Sequence, residues 1–133
     1  VAHDTHLVLT TMKASIENVV LIVSVLTDEQ QQLLKDTINY GAWGDGDFNF
    51  LNADGSWTTD VMYGYCTNDA KRAGHFSGRK VSAMFRSIYR KLCNPSGIGM
   101  IISHCTDWWE DGSGDMLFIR ESFVDAFEEW AKQ

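Results

Sequence analysis

A chain of 133 residues, 44% hydrophobic and 12% aromatic, is long enough to bury a core of its own and too apolar for intrinsic disorder. The length fits a single domain over 1–133, and the longest uninterrupted apolar run, residues 19–23, falls far short of the roughly 18 a membrane span needs. A net charge of −7 and a pI near 4.9 do not exclude nucleic acid, since binding follows the local field, but any basic surface must then be segregated.

Residues 1–10, with His3 and His6, read as a loose N-terminal lead-in. From Thr11 onward Met12, Ile16, Val19, Val20, Val23 and Leu26 keep helical spacing, while the β-branched cluster at 19–23 also suits a buried strand. No basic n-region precedes that cluster and Thr27-Asp28-Glu29 follows it, so no signal peptide is expected. Thr27 with Gln30 forms a capping-box signature for a second helix. Asp28 and Glu29 complement the positive end of its dipole, Leu33, Leu34 and Ile38 form its inner face, and Gly41 closes it.

Phe48 and Phe50 alternate with polar neighbours, Asn52-Ala53-Asp54-Gly55 is a turn and Trp57 begins a return strand, which together predict a β-hairpin. Asp45-Gly46-Asp47-Phe48-Asn49 opens like a calcium loop, but Phe50 stands where the glycine belongs and Ser56 where the bidentate glutamate belongs. No metal is expected there, and the Asp111-Gly112-Ser113-Gly114-Asp115 loop reads as an ordinary Gly-rich turn. A short apolar stretch over 61–65 leads into the basic segment.

Residues 70–93 carry seven of the eleven Lys and Arg (Lys71, Arg72, Arg79, Lys80, Arg86, Arg90, Lys91) and no carboxylate. The remaining 109 residues hold four basic and eighteen acidic side chains, a balance of −14. A short helix over 68–73 can stop at Gly74, Ser77 can cap a second helix, and Pro95 prevents that helix from continuing far. On a wheel of about 100° per residue, Val81, Met84, Phe85, Ile88 and Leu92 share one side. Arg79, Arg86 and Arg90 lie opposite, and Lys80 and Lys91 sit on one flank. An ordinary solvated face mixes signs, because like charges a turn apart repel. A one-sign stripe points to an anionic partner.

Helix, four-residue turn, longer basic helix: this stretch resembles a helix-turn-helix, with Ala70 and Gly74 at the separation of that superfamily's small first-helix residue and turn glycine. The downstream apolar positions arrive one residue late, at Val81 and Met84, which implies a longer turn. A strand over 98–106, a loop over 109–114 and a return over 115–120 then resemble the wing of a winged helix. The resemblance implies an α+β domain of four to five helices and two β-hairpins, winged-helix-like in its C-terminal half. The basic helix 78–93 would contact nucleic acid, DNA foremost, with the helix-turn-helix and hairpin spanning 67–120. Ser122 and Asp125 predict a capping box for a last helix with Phe123, Phe127, Trp130 and Ala131 inside and Asp125, Glu128 and Glu129 outside.

Against this, Asp107, Glu110, Asp111 and Asp115 make the expected wing acidic, where phosphate neutralisation calls for cations. The alternative is a non-enzymatic protein-interaction module, an inhibitor or adaptor, anchored by Trp108 and Trp109 beside Glu110 and Asp111. Catalysis lacks a constellation. Neighbours His104 and Cys105 point to opposite faces of a strand, His75 with Cys66 has no supporting motif, and no P-loop, HExxH or GxSxG pattern occurs. No catalytic residue, cofactor or metal is therefore expected. Three cysteines (Cys66, Cys93, Cys105) without CxxC spacing suggest a reducing, cytoplasmic compartment.

Overall fold

Ser15 starts the first helix of the described residues, accepting a hydrogen bond from the Asn18 N–H at 3.2 Å; the side-chain oxygen satisfies a donor the helix itself leaves orphaned. A computed structural model describes residues 13–51, 54–66, 78–93, 102–105 and 116–133, with backbone alone at 50, 51, 78–82, 93 and 103–105. Helix α1 (Ile16–Val23) resolves the helix-or-strand alternative in favour of helix. It turns Val19, Ile22 and Val23 inward, with Leu26 buried just beyond. Val20, expected on the inner side, is 48% exposed. Its place is taken by Ile22, which with Val19 and Val23 forms the stripe that α1 buries.

Helix α2 (Asp28–Asn39) has the expected capping box. The Thr27 hydroxyl accepts from Gln30 N and the Gln30 amide oxygen accepts from Thr27 N, each at 3.1 Å. Leu33, Leu34 and Ile38 are buried, each worth about 1.5–3 kcal/mol relative to exposure. Gly41, at φ 94°, ends the helix in the left-handed conformation that a Cβ disfavours.

The predicted hairpin is present and longer than expected: β1 (Gly44–Leu51) pairs antiparallel with β2 (Trp57–Cys66), from Gly44 opposite Gly64 to Leu51 opposite Trp57. The calcium-like stretch is thus extended backbone within β1, and the apolar stretch at 61–65 is the second half of β2. Helix α3 (Gly78–Cys93) is the predicted basic helix. β3 (Ile102–Cys105) and β4 (Met116–Arg120) are antiparallel partners. Helix α4 (Glu121–Ala131) follows β4 with no intervening loop. Its N-cap is Arg120 and no side chain caps it, so the capping box expected at Ser122 does not form. The strand delivers the chain directly into the helix, and Ser122 falls inside the first turn.

The fold is α+β, with four helices and four strands among the described residues. The strands form one antiparallel sheet in the order β1-β2-β4-β3. Tyr65, Leu117, Ile119 and Ile102 face the helices and share a core with Phe85, Ile88, Leu92, Phe123, Phe127 and Trp130. The other sheet face carries a second buried cluster of Met62, Cys66, Met116 and Phe118, with Phe48 packed on it. The Phe48 and Phe118 rings lie 4.9 Å apart. Gly64 makes this possible, because a Cβ there would stand 2.8 Å from Met116 Cε and 2.9 Å from Phe118 Cε1.

Candidate functional site

Helix α3 is seated by its apolar side. Phe85, Ile88 and Leu92 are buried and Met84 is half-buried, as the wheel predicts; the Val81 side chain lies outside the described residues. The helix packs against β3 and α2. A polar network fixes it from the other direction. Lys91 Nζ donates to Gln30 Oε1 at 2.7 Å, and Gln30 Nε2 donates to Ser87 Oγ at 2.9 Å. Gln30 is itself 7% exposed, and a buried amide left unpaired would cost about 1–3 kcal/mol. Its bonds to Thr27, Ser87 and Lys91 therefore tie the start of α2 to the last turns of α3.

The expected basic residues consequently separate into kinds. Arg86 and Arg90 are exposed and one turn apart on α3, with Cβ atoms about 6 Å from each other. Among the described residues neither has a carboxylate partner. Lys91 is half-buried and turned toward Gln30, so it positions the helix. Arg90 and Lys91 also sit in the last turn, where positive charge complements the helix dipole. The side chains of Arg79 and Lys80, and all of Lys71 and Arg72, lie outside the described residues. So do the expected first helix at 68–73, its turn, and Trp108, Trp109, Glu110 and Asp111 of the alternative site. His75 lies outside them too, and Cys66 is a buried free thiol on the far face of the sheet.

Acidic groups gather toward the other edge of the sheet, away from α3. β3 and β1 are its two edges, about 14 Å apart at a strand spacing near 4.8 Å, and α3 lies over the β3 side. Asp45 and Asp47 are exposed on β1, as are Glu121 and Asp125 on α4. The Tyr63 hydroxyl donates to Glu121 Oε2 at 3.3 Å. Glu121 above all, with Asp45 and Asp125 behind it, pushes the Tyr63 phenol upward from its ordinary value. Composition hides this arrangement: Gly44, Asp45, Gly46 and Asp47 are residues that strands disfavour, and only their pairing with β2 makes them one.

Among the described residues no three His, Cys, Asp or Glu side chains are placed to hold a metal ion, and no helix is long and apolar enough to cross a membrane. No protein-family model, curated protein or solved structure matches the chain, so what it does is read from its own geometry.

Proposed function

We propose that the chain is a nucleic-acid-binding protein that lays the exposed side of α3 along a phosphate backbone, DNA being the first candidate. The observation that carries this reading is the pair Arg86 and Arg90. They are two solvent-facing guanidinium groups a turn apart on a firmly seated helix, with no carboxylate partner among the described residues. A pair of this kind suits phosphate, because guanidinium presents a planar fork of donors. Arg79, Lys80, Lys71 and Arg72 would extend the stripe toward the N-terminal end of the helix, in keeping with the resemblance to a helix-turn-helix. The acidic side chains of β1 and α4 support the reading by standing away from α3, so the molecule as a whole need not be basic.

The test is a titration with duplex DNA and with RNA at several salt concentrations. The double variant Arg86→Ala/Arg90→Ala should weaken binding and reduce the slope of log K against log salt by about 0.9 per lost contact on duplex DNA. Its far-UV circular dichroism should match the parent, since both side chains face solvent. Unchanged affinity in the folded double variant would falsify the proposal.

A further inference from the structure

β1 is an edge strand whose outer side has no partner among the described residues. Eight residues long, it presents a row of main-chain N–H and C=O groups, the template that an added strand uses. Native edges of this length are normally blunted against their own kind. Here the blunting is done by Asp45 and Asp47. Both are exposed, and both stand opposite residues of β2 (Tyr63 and Val61) whose positions look toward the helices. A second copy of β1 laid antiparallel would bring aspartates against aspartates, and like charges directly across a ladder are destabilising. A cationic strand meets the opposite condition. Glu121 and Asp125 on neighbouring α4 deepen the negative potential on that side, and the Tyr63 hydroxyl is already engaged by Glu121. On the other side of the strand, the Phe48 ring reaches over Gly46, 3.7 Å from where a Cβ would stand, and is half-buried against Phe118, an apolar surface that suits an apolar side chain.

We infer that the outer edge of β1 is a docking strand for an extended basic peptide segment of a partner protein. The segment adds a fifth strand to the sheet. Lys or Arg occupies alternate positions on the side of Asp45 and Asp47, and apolar residues occupy the intervening positions on the side of Gly46 and Phe48. Main-chain bonds supply the attachment and the two aspartates select the charge. The surface is separate from α3, at the opposite edge of the sheet, and stands whether or not α3 binds nucleic acid.

The experiment is fluorescence anisotropy with the full chain and a labelled peptide of about ten alternating Lys and Val residues, beside a Glu/Val counterpart and an alternately N-methylated Lys/Val peptide. The Lys/Val peptide should bind and the Glu/Val peptide should not. N-methylation, which keeps the charges and removes the ladder, should weaken binding about tenfold or more. Asp45→Lys/Asp47→Lys should exchange the preference in favour of Glu/Val. The milder Asp45→Asn/Asp47→Asn should weaken Lys/Val binding without reversing it, and Arg86→Ala/Arg90→Ala should leave it unchanged. Equal binding of the N-methylated peptide would reduce the effect to charge alone and overturn the inference. So would no binding of Lys/Val, or retained affinity in the folded lysine variant. A concentration-dependent dimer in sedimentation, lost in that variant, would assign the edge to a second copy instead and would equally overturn it.

Discussion

Lys91 and Gln30 lie 61 residues apart in sequence and meet at 2.7 Å, and the amide that receives the lysine is the same one that completes the α2 capping box. One side chain thus serves two helices. Gln30→Ala removes the reciprocal cap and strips Lys91 and Ser87 of their partner together, so it should cost about 2 kcal/mol in urea unfolding. Lys91→Met keeps the packed stem and should cost about 1 kcal/mol. A loss in Lys91→Met below a few tenths of a kcal/mol would show the bond to be incidental. Lys91 is for this reason a poor site at which to test nucleic-acid binding, since its removal disturbs the seat of the helix under test.

Gly64→Ala should be among the costlier single-methyl additions in the sheet. The new Cβ would press on Met116 Cε and the Phe118 ring, both in a buried cluster, and overpacking of this kind costs about 1–3 kcal/mol. Met116→Ala should destabilise the parent yet cost less in the Gly64→Ala background. A double-mutant cycle on thermal or denaturant midpoints measures that coupling. Strict additivity would mean that the two positions do not compete for space.

Tyr65 predicts behaviour in alkali. Burial first, and then the Glu128 carboxylate beside its hydroxyl, push the phenol far above its ordinary value. A group with a raised folded pKa contributes stability that is complete below its unfolded value, about 10, and declines as pH rises toward the folded one. The protein should therefore lose stability above about pH 10, and Tyr65→Phe should lose distinctly less, at a cost near neutral pH of about 1 kcal/mol or below. Denaturant midpoints measured against pH decide it, and parallel curves for the two proteins would refute it.

The Arg120–Asp60 pair, 2.7 Å between Nε and Oδ2, predicts the acid side. Arg120 holds the Asp60 carboxyl below the usual range, so its contribution is present above the unfolded value near 3.9 and is lost as pH falls through the folded one. Both side chains are partly solvated, which limits the pair to about 1 kcal/mol or less. Asp60→Asn should show a shallower loss of stability than the parent below about pH 4, followed by circular dichroism in urea.

What the sequence made legible was what depends on neighbours along the chain. The Thr27/Gln30 cap, the inner face Leu33, Leu34 and Ile38, the closing Gly41 and the inner face of α3 all follow from helical period and end chemistry. What it concealed depends on distant partners. Asp45 and Asp47 look like the start of an ion loop until β2 lies beside them. Lys91 looks like one more cation on a flank until Gln30 arrives from α2. Ser122 carries a capping signature, but the place where α4 begins is decided by where β4 ends, and that is fixed by Arg120 standing opposite Met62 in the ladder. The outward pair Arg86 and Arg90 was legible because exposure on a helix is a matter of angle. The order of the strands was not, since β4 enters between β2 and β3 without any local signal.

That insertion bears on how the protein is made. β4 and α4, the stretch from 116 to 131, supply the second partner of β2, the partner of β3 and a helix against which both α1 and α2 rest. On a ribosome, everything synthesised before them is an unfinished layer with its apolar side open. Native contacts of such long sequence separation form late and slow the search for the folded state. Nascent chains should therefore stay protease-sensitive until residue 131 has cleared the exit tunnel, and then acquire resistance in a single step.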